Sequence, residues 1–143
     1  MTVKHIVSDK GGKVVTISPT ASLADAAKLL AERRIGALVV TGAGDRVVGI
    51  VSERDIVRIL AARGAAGLGI ALTDVMTRKV VTCEPSATVS AVMEQMTAGK
   101  FRHVPVLDGE KLVGIISIGD VVKWRLQEME REQNALKDYI QTA

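Results

Sequence analysis

The chain has 143 residues and a formal net charge of +3, with 48% hydrophobic and 24% charged side chains. That length suits one domain or two very small ones, and that composition can bury a core, which excludes a disordered chain. The only aromatic residues are Phe101, Trp124 and Tyr139, too few for a base-stacking platform, and no dense Lys/Arg tract marks a DNA footprint or a membrane patch.

The first residues, "MTVKHIVSDKGG", lack the apolar stretch of a signal peptide, and no apolar run approaches the ~18 residues of a membrane span. A soluble cytoplasmic protein is expected. "KVVTI" (Lys13–Ile17) is a short β-branched strand. "SPTAS" then turns the chain, and Ser22 is a natural N-cap for a helix whose apolar face is Leu23, Ala26, Ala27 and Leu30. "ALVVT" (Ala37–Thr41) and "RVVGIVS" (Arg46–Ser52) are the next strands, joined by a glycine-containing turn, and a second helix starts at Ser52. "ARGAAGLGIA" (Ala62–Ala71) links this half to the next, and "LTDVMT" (Leu72–Thr77) is a single capped turn.

The same order then recurs. "KVVTC" (Lys79–Cys83) is a strand, "EPSAT" a turn, and Thr88 the cap of a helix with the face Val89, Val92, Met93 and Met96, closing at Gly99. "HVPVL" (His103–Leu107) is a strand in which Pro105, lacking an N–H, indicates an edge or irregular position. "KLVGIIS" (Lys111–Ser117) follows, and a final helix starts at Ser117. "KVVT", the prolines Pro19 and Pro85 and the helix stripe all repeat at an offset of 66, and "GDRVVGIVSERDIV" repeats as "GEKLVGIISIGDVV" at an offset of 65. The chain is a duplication. The expected class is α/β (α+β), with β-α-β-β-α occurring twice and a long C-terminal helix. The first repeat with its N-terminal segment and linker occupies 1–70, the second 71–124, and a helical tail 125–143. A unit of ~60 residues is marginal alone, so the halves are expected to pack about a pseudo-two-fold as one module.

"GIVSERD" (Gly49–Asp55) and "GIISIGD" (Gly114–Asp120) share the pattern Gly, two apolar residues, Ser, two variable residues, Asp. Ser followed three residues later by an acid at a helix start is a capping box, which satisfies free backbone amides. A second reading starts from the recurrence of the phrase after a strand end. A helix N-terminus with a hydroxyl attracts an anion, and a carboxylate accepts from a pair of sugar hydroxyls. Together these describe a nucleotide pocket. Both readings stand at this point.

The doubled pattern, the "T-x-x-P" starts (Thr16–Pro19, Thr82–Pro85), "DVMT" before the second repeat and the two phrases resemble the CBS domain family, specifically a stand-alone tandem pair. The resemblance covers about Val14 to Lys123. It implies a regulatory, non-enzymatic module binding adenosine-containing ligands (AMP, ADP, ATP, NAD or S-adenosylmethionine) in two clefts, with no catalytic cofactor. It further implies a homodimer and an effector protein as partners. By the same resemblance Asp55 and Asp120 hold ribose, and Ser52 and Ser117 contact phosphate or ribose. Thr16 and Thr82 line the clefts, while Lys13, Val15, Lys79 and Val81 border the base. The second strands contribute Gly36, Ala37 and Leu38 in one repeat and Arg102, His103, Val104 and Pro105 in the other. Arg54 and Arg102 are each placed to serve a phosphate, and at least one cleft is expected to take a phosphorylated adenosine. The alternative is a ligand-free dimeric scaffold in which both phrases are caps alone.

Cys83 reads as a reduced, strand-borne small hydrophobe, His5 and His103 lack companions at metal-ligand spacing, and Met93 and Met96 read as core filler. In the tail, Val122, Leu126, Met129, Gln133, Leu136 and Ile140 alternate at spacings of 4 and 3. This a/d-like seam either docks on its own molecule or is shared with a second chain.

Overall fold

The computed structural model describes residues 1–142. Helix α1 (Val3–Asp9) precedes strand β1 (Thr16–Ile17), helix α2 (Leu23–Arg33), strands β2 (Ala37–Thr41) and β3 (Val47–Ser52) and helix α3 (Glu53–Arg63). The second half comprises helix α4 (Val89–Gly99), strands β4 (His103–Asp108) and β5 (Lys111–Ser117) and helix α5 (Ile118–Thr142). The class is mixed α/β, as expected, and α2, α3, α4 and α5 start where their caps were read, whereas α1 was not expected and has no side-chain cap. Ser22 Oγ accepts from the Asp25 amide in a full capping box, and Thr88 Oγ1 accepts from the Ala91 amide at 3.1 Å. The first helix of each repeat ends on a left-handed basic residue, Arg34 (φ 54) and Lys100 (φ 58). Gly99 therefore does not supply the turn. It leaves room for Phe101, whose ring would lie 2.1 Å from a Cβ there.

In the first repeat β1 runs parallel to β2, which pairs antiparallel with β3. In the second, β4 and β5 pair antiparallel, but "KVVTC" is not the expected strand: only Cys83 bridges, to Val106. The first repeat's strand is also shorter than the expected Lys13–Ile17, pairing only at Thr16–Ile17, and Pro105 removes a further rung in the second. Cys83 N–H donates to the Pro105 carbonyl at 3.0 Å and Leu107 N–H to Cys83 O at 2.9 Å. The next rung of a parallel ladder needs an N–H from residue 105, which proline lacks. The expected linker also differs, since Gly64–Gly69 coils as a 3-10 helix directly after α3 and Leu72–Asp74 as another.

Two apolar cores form, one per repeat, and a short segment crosses to each. Leu72, Val75 and Met76 belong to the first core with Leu23, Leu30, Leu38 and Val51, whereas Val3 and Ile6 belong to the second with Val89, Val92, Val104 and Ile116. The backbone bonds match. Leu72 N–H donates to Ala21 O and Thr73 N–H to Pro19 O; Val3 N–H donates to Ala87 O and Lys4 N–H to Pro85 O. Residues 70–77 thus do for the first repeat what 1–9 do for the second, and the division at residue 70 is crossed in both directions.

The glycine opening each phrase is explained by these crossings. A Cβ on Gly49 would lie 2.6 Å from Met76 Sδ and 3.0 Å from Thr77 O, and one on Gly114 would lie 2.7 Å from a Val7 methyl. Each glycine lets a crossing segment lie flat on its strand.

Candidate functional site

Thr77 is held to the edge of β3 by a reciprocal pair of backbone bonds with Ile50, at 2.9 and 3.0 Å. This lays Lys79, Val80 and Val81 across the start of α3, facing Lys100–His103 from the turn after α4. A cleft of about 530 Å³ opens between them, within the roughly 300–1,000 Å³ typical of small-molecule sites. Its lining includes Gly36, Ser52, Arg54, Asp55, Lys79, Val81, Arg102 and His103, eight of the residues picked out in the sequence. Ile50, Glu53, Val57, Thr77 and Lys100 also line it and were missed. Glu53 and Val57 had a legible signal, lying within the phrase and on the next turn of its helix. Thr77 and Lys100 enter only through tertiary packing.

The other expected residues lie elsewhere. Leu38 and Val104 are fully buried in the two cores, so only their backbones could meet a ligand. Ala37 is buried, while Pro105 lies in β4. Thr16 lines a separate hollow with Gly12, Val14, Thr41 and the turn at Glu110–Leu112. Lys13, Val15, Thr82, Ser117 and Asp120 do not line the main cleft.

Both phrases form capping boxes. Ser52 N–H donates to Asp55 Oδ2 at 2.8 Å and Asp55 N–H to Ser52 Oγ at 3.4 Å; the Ser117–Asp120 pair repeats this at 2.9 and 3.2 Å. The Glu53 amide is also taken, by Gly36 O at 3.0 Å. Capping and ligand binding are compatible at Asp55, because the cap uses Oδ2 and leaves Oδ1 to Arg58, an exposed guanidinium 3.2 Å away. A sugar hydroxyl can take Oδ1 by displacing a surface partner of little energetic weight.

Asp120 carries a second partner on the same oxygen, Oδ2, that its cap uses, and it lies outside the main cleft. Lys10 Nζ, at the end of α1, sits 2.9 Å from Asp120 Oδ2 and donates to Ile115 O at 2.8 Å. Burial opposes ionisation of Asp120, but Lys10 and the Ser117 amide outweigh it and hold the carboxyl below its ordinary value. The stabilisation this provides is present above the ordinary carboxylate range and is lost as pH falls through the lowered value.

The main cleft is cationic on balance, with Arg54, Lys79, Lys100 and Arg102 against Glu53 and Asp55. Val57 and Val81 are large exposed apolar side chains that line it, giving a flat base something to lie on. His103 covers Gly36 so closely that a Cβ there would be 3.2 Å from Nε2. Burial lowers its pKa below the usual histidine value, which favours the neutral ring as a hydrogen-bond partner. Cys83 stays outside the cleft, and burial pushes its thiol up to about 11, the reverse of what a nucleophile needs.

The model of the CBS domain matches the chain twice, over residues 3–62 and 72–127. The chain belongs to the CBS domain family. Both matched segments begin at a crossing segment, so the repeat seen in the fold is the family's own unit. This CBS pair is 32% identical to the mitochondrial CBS domain-containing protein CBSX3 of Arabidopsis thaliana, across 98% of this chain and 72% of that one. Among solved structures it is similar to the CBS-domain protein ATU1752 of Agrobacterium tumefaciens, with 48% identity and TM-score 0.84 over 87% of this chain and 92% of that one. It is also similar to the CBS domain pair of protein MJ0100, solved in complex with 5′-methylthioadenosine and S-adenosyl-L-methionine. That match has 27% identity and TM-score 0.81 over 90% of this chain and 98% of that one. Among the described residues, no helix of the pair is long and apolar enough to cross a membrane.

Proposed function

We propose that this CBS pair is a regulatory module that binds an adenosine-containing ligand in the Asp55 cleft and passes the resulting change to a partner protein. The observation that carries this reading is the convergence, in one cleft, of a carboxylate with a releasable oxygen, four cationic side chains and an apolar wall. Asp55 grips the ribose through Oδ1. Arg54, Lys79 and Arg102 meet phosphates, or the carboxylate of an S-adenosyl ligand, and Val57, Val80 and Val81 face the base. The ligands of the MJ0100 pair support the adenosyl class. The ligand shifts the module between arrangements only by its difference in affinity for them, so the exposed cationic rim, which changes partners on binding, is the natural transmitter.

Thermal denaturation with AMP, ATP, NAD, S-adenosylmethionine and 5′-methylthioadenosine tests the proposal. At ~100 times its dissociation constant a ligand adds ~2.7 kcal/mol, raising Tm by roughly 5–10 °C for a domain of this size. Flat curves across the panel would favour the second reading, a dimeric scaffold, which the two closed capping boxes support.

The Lys10–Asp120 pair makes the two phrases unequal. Isothermal titration of the wild type is expected to give one ligand per chain, at the Asp55 cleft. Lys10→Met removes the ammonium that sits on Asp120 Oδ2 beside the second phrase and is expected to raise the stoichiometry toward two, with the first affinity unchanged. Two equal sites in the wild type would show that Lys10 does not close the second.

A further inference from the structure

The C-terminal helix leaves the body of the molecule almost as soon as it begins. On α5 only Val121 and Trp124 are buried, and every residue from Met129 to Thr142 is exposed. Fourteen such residues would be a marginal helix in water, so its stability must come from something packed against it. At 3.6 residues per turn, the stripe of Val122, Leu126, Met129, Leu136 and Ile140 lies about a third of a turn from the docked Val121–Trp124 face. The stripe is free in the single chain: these residues are 45–65% exposed. Of the two sequence expectations, docking on the same molecule is therefore not what the fold does.

We infer that this stripe pairs with a second copy of the chain as a parallel, in-register two-stranded coiled coil. With Leu126, Gln133 and Ile140 at a positions and Val122, Met129 and Leu136 at d, the flanking positions are Arg125 and Glu132 at g and Lys123, Glu130 and Lys137 at e. In a parallel pair each g residue meets the e residue five further along the other copy. Arg125 then meets Glu130, and Glu132 meets Lys137, opposite charges in both cases. An antiparallel pair centred on the same stripe instead sets e against e and g against g, placing Glu130 on Glu130, Glu132 on Glu132 and Lys123 on Lys137. Gln133 makes the same choice. In parallel register the two amides face and can bond each other, whereas an antiparallel register buries each against an apolar d residue. Arg125 currently spans its own helix to Glu128 at 3.1 Å, an exposed contact that is easily exchanged.

The test uses the full chain in analytical ultracentrifugation and oxidative cross-linking. The wild type is expected to sediment as a dimer, and Leu136→Asp with Ile140→Asp as a monomer with unchanged near-UV circular dichroism, since neither residue touches a core. Arg125→Glu is expected to weaken the dimer roughly tenfold through two new repulsive contacts, and adding Glu130→Arg to restore it. In a Cys83→Ala background, Leu126→Cys and Ile140→Cys, made singly, should both cross-link copy to copy. A monomeric wild type, a dimer that survives the paired Asp substitutions, or failure of either site to cross-link, with neither cross-linking in the antiparallel pair centred on the stripe, would each overturn the proposal.

Discussion

Asp55→Asn is expected to weaken binding of the adenosyl ligand roughly 10- to 100-fold in isothermal titration, the loss of a hydrogen bond to a charged acceptor, worth about 1.5–3 kcal/mol. The fold should persist. An Asn oxygen can still accept from the Ser52 amide, and the stability lost is mainly that of a negative charge at a helix start, about 0.3–1 kcal/mol. What Asn cannot do is offer a second, charged acceptor: its other position is an N–H donor, so the charge-assisted bond from the sugar hydroxyl is replaced by a weaker neutral one. Asp25→Asn provides the control. Asp25 makes the same capping box with Ser22 on an exposed helix start away from the cleft. If the two substitutions had equal effects on titration, Asp55 would be a cap and nothing more.

Trp124→Ala is expected to give the largest loss of stability, about 3–5 kcal/mol by urea denaturation followed by circular dichroism. Trp124 is 6% exposed and closes the second core against Val3, Ile6, Val92 and Val121. It is also the last side chain anchoring α5. Against a total of roughly 5–15 kcal/mol for a domain, that loss should unfold the second repeat at lower urea and broaden the transition. Gln127→Ala, three residues on and exposed, should stay within about 0.5 kcal/mol. A Trp124→Ala protein as stable as the wild type would mean that the helix base is not docked as described.

The two predictions bear on different links in the same design. Asp55 sits at a helix start whose cap makes it rigid, and rigidity is what lets one carboxylate oxygen be offered outward at a fixed place. Trp124 anchors the base of α5, the helix that carries the proposed dimer seam. A ligand that reorganises Arg54, Lys79 and Arg102 acts on the repeat interface, and α5 leaves the second repeat directly after its phrase at Ser117–Asp120. Under the proposed function the ligand-induced change would pass close to the tail, and comparing dimer affinity with and without ligand would measure that coupling.

What the sequence by itself determined were the features set by near neighbours in the chain. Ser22, Ser52, Thr88 and Ser117 start helices because a hydroxyl three residues before a free amide satisfies it wherever the rest of the molecule lies. The β-branched runs at Ala37–Thr41 and Lys111–Ser117 became strands with those same bounds. The missing strand at "KVVTC" was also partly within reach, because Pro105 removes a rung and its position was known. The crossing segments left a trace too, in the matching apolar spacing of Val3, Ile6 and Val7 with Leu72, Val75 and Met76.

Only the tertiary structure decided which phrase is open. Asp55 and Asp120 are alike locally, yet one faces Arg58 at the rim of a cleft and the other is held by a lysine 110 residues away in sequence. No local rule brings Lys10 there; the burial of Val3 and Ile6 in the second core does, because it fixes the helix that ends at that lysine. The tail was ambiguous for the same reason. A period of 3.5 specifies a seam but not its partner, and it took the packing of Val121 and Trp124 on the neighbouring face to leave that seam pointing away from its own chain.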